Sequence, residues 1–307
     1  MNEYIVGGKD AGKRVDRFVA EVRPDLSRIF ILKAIRLKKI KRNGKRTEGN
    51  ERLEAGDRVN IYVADGAARP LRTDGFSVVY EDDHVLLVDK RRGVLCEDST
   101  GKSANTLLAQ VNGYLAAKGE KEAALCHRID YNTSGLVILA KDRESLALLE
   151  EAIRDREIGK CYLCVVCGAV KPPRGTLKHQ LFKDARRNQV YLSDEPVKGS
   201  KTAITHYRVL ASRNGLSLVE CELVTGRTHQ IRSQMAHAGW PLLGDEKYGS
   251  KTANKPYGER KQLLCSYKIT FHFPRKGHIL EYLEGKTIQL RHVDFREKYF
   301  GKSGNGR

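Results

Sequence analysis

His127-Arg128-Ile129-Asp130-Tyr131-Asn132-Thr133-Ser134-Gly135 runs directly into Leu136-Val137-Ile138-Leu139-Ala140-Lys141-Asp142. A polar loop carrying one acid, Asp130, thus turns through Asn-Thr-Ser-Gly into a short apolar run. Residues 136–140 are too few and too β-branched for a helix of their own and read as a strand. Asp142 stands where an N-cap belongs. The helix that follows has Leu146, Leu149 and Ile153 on one face, and Gly159 is expected to end it. A carboxylate is therefore placed on a loop just outside a rigid sheet, beside Arg128, where chemistry is commonly sited. Locally, a turn acid solvating a strand end fits the same residues equally well.

The 307 residues are 40% hydrophobic, enough for a real core and for one large domain with an appendage. The charge is lopsided: 56 Lys and Arg against 38 Asp and Glu give +18, spread over most of the chain. Such an excess calls for a polyanion, either nucleic acid or an anionic membrane surface. No run of 18 apolar residues occurs and the first residues carry no signal-peptide pattern, so nucleic acid in the cytoplasm is the expectation. Seven cysteines, mostly within apolar runs, suit buried thiols in a reducing compartment. Cys161, Cys164 and Cys167 imitate metal spacing, but in a strand Cys164 faces away from the other two. No metal site and no cofactor are expected.

Residues 12–63 read as a compact basic module. Val15, Phe18, Val19 and Val22 repeat with helical period up to Arg23-Pro24-Asp25, and Ser27 can cap a second helix carrying Ile29, Phe30, Leu32 and Ile35. Asn43-Gly44 is a strong two-residue hairpin signal, and Gly56-Asp57 turns the chain into a strand over 58–63. Between Arg36 and Arg46, seven of eleven residues are basic: Arg36, Lys38, Lys39, Lys41, Arg42, Lys45 and Arg46. A charge run is usually a solvated face, but on a tight helix-plus-hairpin surface it favours phosphate contacts. A linker is expected over 66–75 and a frayed tail over 300–307.

From residue 76 onward the pattern alternates strands with a few helices. Strands are read at 76–80, 85–89, 160–170, 209–211 and 216–224, with strand and loop over 176–207 and a helix over 104–118. That mixture predicts an α+β domain with a mixed or antiparallel sheet over 76–299. Gly101-Lys102-Ser103 is not a phosphate loop, because Cys96 stands where its first Gly belongs. His127, Asp130 and Ser134 crowd one loop too closely to serve as a hydrolase triad. Arg227 stands at a strand-to-helix junction in Thr225-Gly226-Arg227-Thr228-His229-Gln230-Ile231-Arg232. A cation near a helix N-terminus is disfavoured by up to about 1 kcal/mol, so Arg227 is either simply exposed or compensated by a carboxylate or phosphate.

Two resemblances follow from these residues. Arg14-x-Asp16-x-Phe18, Ser27-Arg28, Ile35, Asn43-Gly44-Lys45 and Gly56-Asp57 resemble the alpha-L, or ribosomal-protein-S-four-type, RNA-binding module, placed here at 1–65. Over roughly 76–295 the chain resembles the RluA-type RNA pseudouridine synthases. The motifs are His127-Arg128-Ile129-Asp130 with Thr133-Ser134-Gly135 and Ala140-Lys141; Lys160-x-Tyr162 with Val166 and Gly168; and Gly226 to Arg232 with Gly244-Asp245 and Tyr248-Gly249. Ile129, Cys164 and Arg91 depart from the family's usual Leu, Ala and Pro.

The resemblance implies isomerisation of uridine to pseudouridine in structured RNA, with ribosomal large-subunit RNA favoured over transfer RNA and a monomeric enzyme. Asp130 would be the essential carboxylate, Arg227 its cationic partner and Tyr162 the platform for a flipped uracil. Arg128 would help displace the base, with His127, Thr133, Ser134, Gly135, Gly226, His229 and Arg232 supporting the site. A non-catalytic RNA-binding or ribosome-assembly protein is the rival reading, and a binder has no use for the Asp130 carboxylate.

Overall fold

The computed structural model describes residues 2–23, 26, 28–63, 74–98, 103, 105–184 and 189–301. The Ser27 cap, Gly101-Lys102, Arg186-Arg187, nearly all of the 66–75 linker and the tail beyond Gly301 lie outside them. The chain divides into two units, Met1–Thr73 and Asp74–Arg307.

The first unit contains β1 (Asn2–Ile5), α1 (Val15–Val22), α2 (Arg28–Arg36), β2 (Ile40–Arg42), β3 (Lys45–Arg46) and β4 (Arg58–Ile61). Its strands form an antiparallel sheet in the order β1-β4-β2-β3. Val15, Phe18 and Val19 of α1 pack on Ile40, Val59 and Ile61, so the helical stripe and the strand alternation meet in one core. The hairpin forms as its sequence requires: Asn43 and Gly44 both take positive φ, 50° and 75°. Asp57 then locks it, accepting from Asn43 Nδ2 at 2.6 Å and Arg42 Nε at 2.7 Å. Arg42 is thus committed to a protein carboxylate. Arg36, Lys38, Lys39, Lys45 and Arg46 are exposed, and Lys41 is half-buried.

The second unit contains β5 (Phe76–Glu81), β6 (Val85–Lys90), α3 (Leu107–Ala117), β7 (Ala124–Leu125), β8 (Ser134–Ala140), α4 (Arg143–Arg154) and β9 (Ile158–Cys167). These are followed by β10 (Arg174–Asp184), β11 (Gln189–Ser193), β12 (Lys201–Arg213), β13 (Leu216–Leu223), α5 (Gln230–His237), α6 (Lys251–Asn254), β14 (Leu264–Phe271), β15 (Thr287–Gln289) and α7 (Asp294–Phe300). Among the described residues, one sheet runs β11-β10-β12-β13-β9-β14-β8-β6-β5, with β15 on β14 and β7 on β8. Every pairing is antiparallel except β14 with β8, so the architecture is α+β with a mixed sheet.

The central strands are covered on both faces, which explains their unbroken apolar runs. Along β8, Leu136, Ile138 and Ala140 face the core that also holds Leu149 and Ala152 of α4, while Val137 and Leu139 face Leu107, Val111 and Leu115 of α3. Full burial of each such aliphatic side chain contributes roughly 1.5–3 kcal/mol. Asp142 caps α4 by accepting from Ser145 N at 2.8 Å.

Two expectations need correction. Gly159 does not end α4; it lies inside β9. The helix closes instead at Arg156, whose φ of 66° lets Glu157 N reach Ala152 O at 2.8 Å. Holding a non-Gly residue in that left-handed region costs on the order of 1–2 kcal/mol. The short strand expected over 209–211 is part of β12, and a bulge between Val209 and Ala211 breaks the alternation that would have revealed its length.

Candidate active site

The loop between β7 and β8 carries Asp130 and is pinned at several points. Thr133 N donates to Asp130 O at 3.0 Å, closing a turn, and Gly93 N donates to Tyr131 O at 2.9 Å. The fully buried Lys90 sends its ammonium to the carbonyls of Val94, Arg91 and Tyr131 at 2.8, 3.1 and 3.3 Å. Burial pushes this ammonium down to about 8. Gly135, at φ 110°, admits no side chain, because a Cβ there would collide with the Ser266 backbone of β14. His127 Nε2 accepts from Ile138 N at 3.1 Å. The Asp130 loop is therefore fixed to the sheet by its own main chain.

Asp130 opens into a cavity of about 860 Å³ lined by Tyr162 of β9, Lys183 of β10, the 224–229 loop and the start of α5. Its described lining includes seven Lys or Arg side chains against two carboxylates, Asp130 and Glu97. Tyr162 is buried with its face toward Cys164, Val166, Cys221 and Ile231, and burial raises its phenol well above the ordinary tyrosine range.

The cation on Asp130 is Arg232. Its Nη1 lies 3.1 Å from Asp130 Oδ2, while Nε and Nη2 hold both oxygens of the fully buried Asp245 at 2.7 and 3.0 Å. Burial works against the guanidinium, but Asp245 and Asp130 outweigh it and hold Arg232 above its usual range. Arg227, expected in this place, is exposed on the cavity rim with its Nε 3.4 Å from Thr202 O. The geometric reason is local. Arg227 precedes the helix in an open loop, whereas Arg232 lies in the first turn of α5 and is carried inward with Ile231 and Met235. A buried Arg needs buried acids, and the Gly244-Asp245 pair was the signal that could have marked it.

His229 completes the ring of polar groups around Asp130. Tyr248 Oη accepts from Val190 N and sits 2.9 Å from His229 Nδ1, while His229 Nε2 lies 3.9 Å from Asp130 Oδ2. Burial pushes His229 down to about 4, which keeps it neutral. Arg128 is exposed, with Nη1 3.0 Å from Glu97 Oε1. Such a pair is worth at most about 1 kcal/mol and exchanges readily for another anion.

A carboxylate held by a guanidinium, in a basic cavity that a buried tyrosine also lines, suits covalent or base chemistry on a polyanionic substrate. Comparison with known proteins decides the class. A family profile described as RNA pseudouridylate synthase matches residues 84–237. An uncharacterized RNA pseudouridine synthase of Bacillus subtilis is 31% identical, covering 92% of this chain and 94% of its own. The chain belongs to the RNA pseudouridine synthase family.

Ribosomal large subunit pseudouridine synthase D of Neisseria meningitidis is 32% identical over 89% of this synthase and 75% of its own length. Ribosomal large subunit pseudouridine synthase C of Rickettsia prowazekii is 31% identical over 90% and 92%. The structure of human RNA pseudouridylate synthase domain containing 1 shares the fold, with a TM-score of 0.55 at 21% identity over 75% of this chain and 96% of that one. No helix among the described residues is long and apolar enough to cross a membrane.

One cluster in the synthase resembles a metal site: His179, Asp194 and His237 bring ligand atoms within 4.8 Å of one another. Gln234 argues against it. Its Oε1 accepts from Thr205 Oγ1 at 2.7 Å and its amide hydrogens go to Leu177 O and Ala203 O, both at 3.1 Å. The amide nitrogen also lies 3.2 Å from His179 Nδ1, so that ring nitrogen faces a donor group and lacks the acceptor that a metal-binding histidine ordinarily has there.

His127 gives the synthase an acid limit. Burial, aided by the charge of Lys160, pushes it down to about 3, against roughly 6.5 in an unfolded chain. Between those values the unfolded chain binds the proton and the folded one does not, so stability is complete above about pH 6.5 and falls as pH drops toward 3. His127→Gln keeps an acceptor for Ile138 N without titrating. Urea melts at pH 7 and pH 4.5 are expected to show a smaller loss for this variant than for the wild type.

Proposed function

We propose that the enzyme converts uridines of ribosomal large-subunit RNA, using Asp130 as the essential carboxylate and Arg232 as its cationic partner. The observation that carries the site assignment is the bridge from Asp130 through Arg232 to the buried Asp245 inside a basic cavity. The substrate reading rests on similarity along nearly the whole chain to relatives named for the large ribosomal subunit. Mapping pseudouridines in total RNA with and without the gene tests it, and loss confined to transfer RNA would overturn it.

In this reading the target uridine leaves its stack, at a cost of a few kcal/mol, and its uracil rests on Tyr162 while Arg128 exchanges Glu97 for RNA. Asp130 either attacks ribose carbon 1, displacing the uracil from nitrogen 1, or removes a ribose proton so that the glycosidic bond breaks. The freed uracil turns and carbon 5 bonds to ribose carbon 1, as the Asp130 ester breaks in the first route or as Asp130 returns its proton to the ribose in the second; carbon 5 then loses its proton while nitrogen 1 gains one. Burial keeps the Tyr162 phenol protonated, so its hydroxyl assists by orienting and relaying. Tyr162→Phe is expected to leave KM unchanged and lower kcat by about 10²- to 10⁴-fold, with a carbon-5 isotope effect appearing as that proton loss becomes limiting.

We also assign the 1–65 unit to RNA binding as an alpha-L module. Arg36, Lys38, Lys39, Lys41, Lys45 and Arg46 remain as its basic surface, since Arg42 is held by Asp57. Replacing Lys38, Lys39 and Lys45 with Ala should weaken RNA binding and reduce the slope of log Kd against log salt by roughly 0.7–0.9 for each phosphate no longer neutralised. An unchanged slope in filter binding would count against the module's role.

A further inference from the structure

Lys160 is the cation in the cavity whose position the charge network does not explain. It shares a face of β9 with Tyr162, two residues away, so its Cα lies ~6.6 Å along the strand from the proposed base platform. Its neighbours on adjacent strands are Leu223 and Ile269, both apolar. Most of the side chain is buried, yet among the described residues no carboxylate, carbonyl or hydroxyl lies within hydrogen-bond reach of its ammonium. Burial accordingly lowers its pKa without an anion to oppose the shift, and its charge is felt at His127. A desolvated, unpaired ammonium opening on a cavity is costly unless an anion arrives from outside.

Two further cations line the same cavity, Arg154 and Arg156 at the close of α4. Arg156 is exposed, without a partner among the described residues, and holds the left-handed C′ position where Gly is the ordinary choice. The sequence thus keeps a charged side chain where the backbone prefers none, in the lining of a cavity that also holds a lysine without a counter-ion.

We propose that Lys160, with Arg154 and Arg156, forms a phosphate subsite that holds the RNA backbone next to the target uridine. A compact ammonium at the inner end suits a point contact to one phosphate oxygen, and two exposed guanidinia suit the strand as it leaves the cavity. This inference rests on the reading that the cavity receives RNA. Lys160 is a positioning residue in it, acting on where the nucleotide sits and not on the bonds that change.

The test uses the full-length protein and in vitro transcribed, unmodified ribosomal RNA labelled with tritium at carbon 5 of uridine. Lys160→Met keeps the stem and removes the charge. It is expected to raise KM about tenfold, leave kcat within about twofold at saturating RNA, and lower the log KM against log salt slope by roughly 0.7–0.9, the signature of a single phosphate left without its cation. Lys160→Arg should restore KM most of the way to the wild-type value. Arg156→Gly separates binding from folding: it relieves the left-handed residue, so its thermal midpoint should hold or rise while KM increases severalfold.

Unchanged KM and salt slope in Lys160→Met would overturn the subsite, as would a fall in kcat at unchanged KM. An Arg156→Gly protein with wild-type KM would remove the arginines from it. Filter binding of the same RNA repeats the comparison without turnover. Failure of the wild-type protein to release tritium would therefore count against the substrate reading alone, while the binding slopes still decide the subsite.

Discussion

Asp130→Asn is expected to lower tritium release from carbon-5-labelled uridine in RNA by at least about 10⁴-fold, which is about 5 kcal/mol of barrier, while RNA affinity stays within about threefold. The substitution is nearly isosteric. Arg232 Nη1 still finds an oxygen, Thr133 N still closes the turn on the residue 130 carbonyl, and the cavity keeps its cations. What disappears is the negative charge able to attack ribose carbon 1 or to take a ribose proton, and both routes need it. Single-turnover release and filter binding on the same RNA separate chemistry from affinity. Release at more than about a tenth of the wild-type rate would remove Asp130 from the chemistry.

The second large effect belongs to Arg232, which does two things at once. Arg232→Met leaves Asp245 as a fully buried carboxylate whose remaining donors are the backbone N–H groups of Lys247 and Tyr248. Removing one partner of a buried pair costs about 3–5 kcal/mol, or roughly 6–20 °C in thermal midpoint for a domain of this size. Turnover should fall as well, because Asp130 loses the guanidinium that holds its carboxylate in place. Arg232→Met combined with Asp245→Asn distinguishes the two roles. The double variant no longer buries an unpaired charge, so stability should return toward wild type while tritium release stays low. Recovery of both, or of neither, would show that the bridge does not divide in this way.

Much of this protein was legible locally. The Asn43-Gly44 hairpin, the Asp142 cap of α4 and the buried strand of β8 each follow from interactions within a few residues of the chain. Gly239 ends α5 in the same local way, at φ 85° with Trp240 N bonded to Met235 O. The expectations that failed depended on something farther away. The length of β12 was hidden by a bulge that only its pairing with β13 makes visible. Gly159 looked like a helix stop, but Arg156 ended the helix first and β9 then took Gly159 into the sheet.

The site divides along the same line. Residue order alone was enough to put an acid on a tight loop at the mouth of a strand, a tyrosine on another strand and an arginine-rich junction before a helix. These are statements about periodicity and turns, and they hold for each segment in isolation. Which arginine meets Asp130 depended on three dimensions. The partner had to come from the face of α5 that packs inward, and the cost of burying a guanidinium there had to be met by Asp245, 13 residues further along the chain. Charge pairing across the fold depends on burial, and burial is a property of the assembled sheet and helices. The unpaired ammonium of Lys160 became visible for the same reason: a lysine two residues from Tyr162 is unremarkable in a sequence until the fold shows that no described group answers its charge.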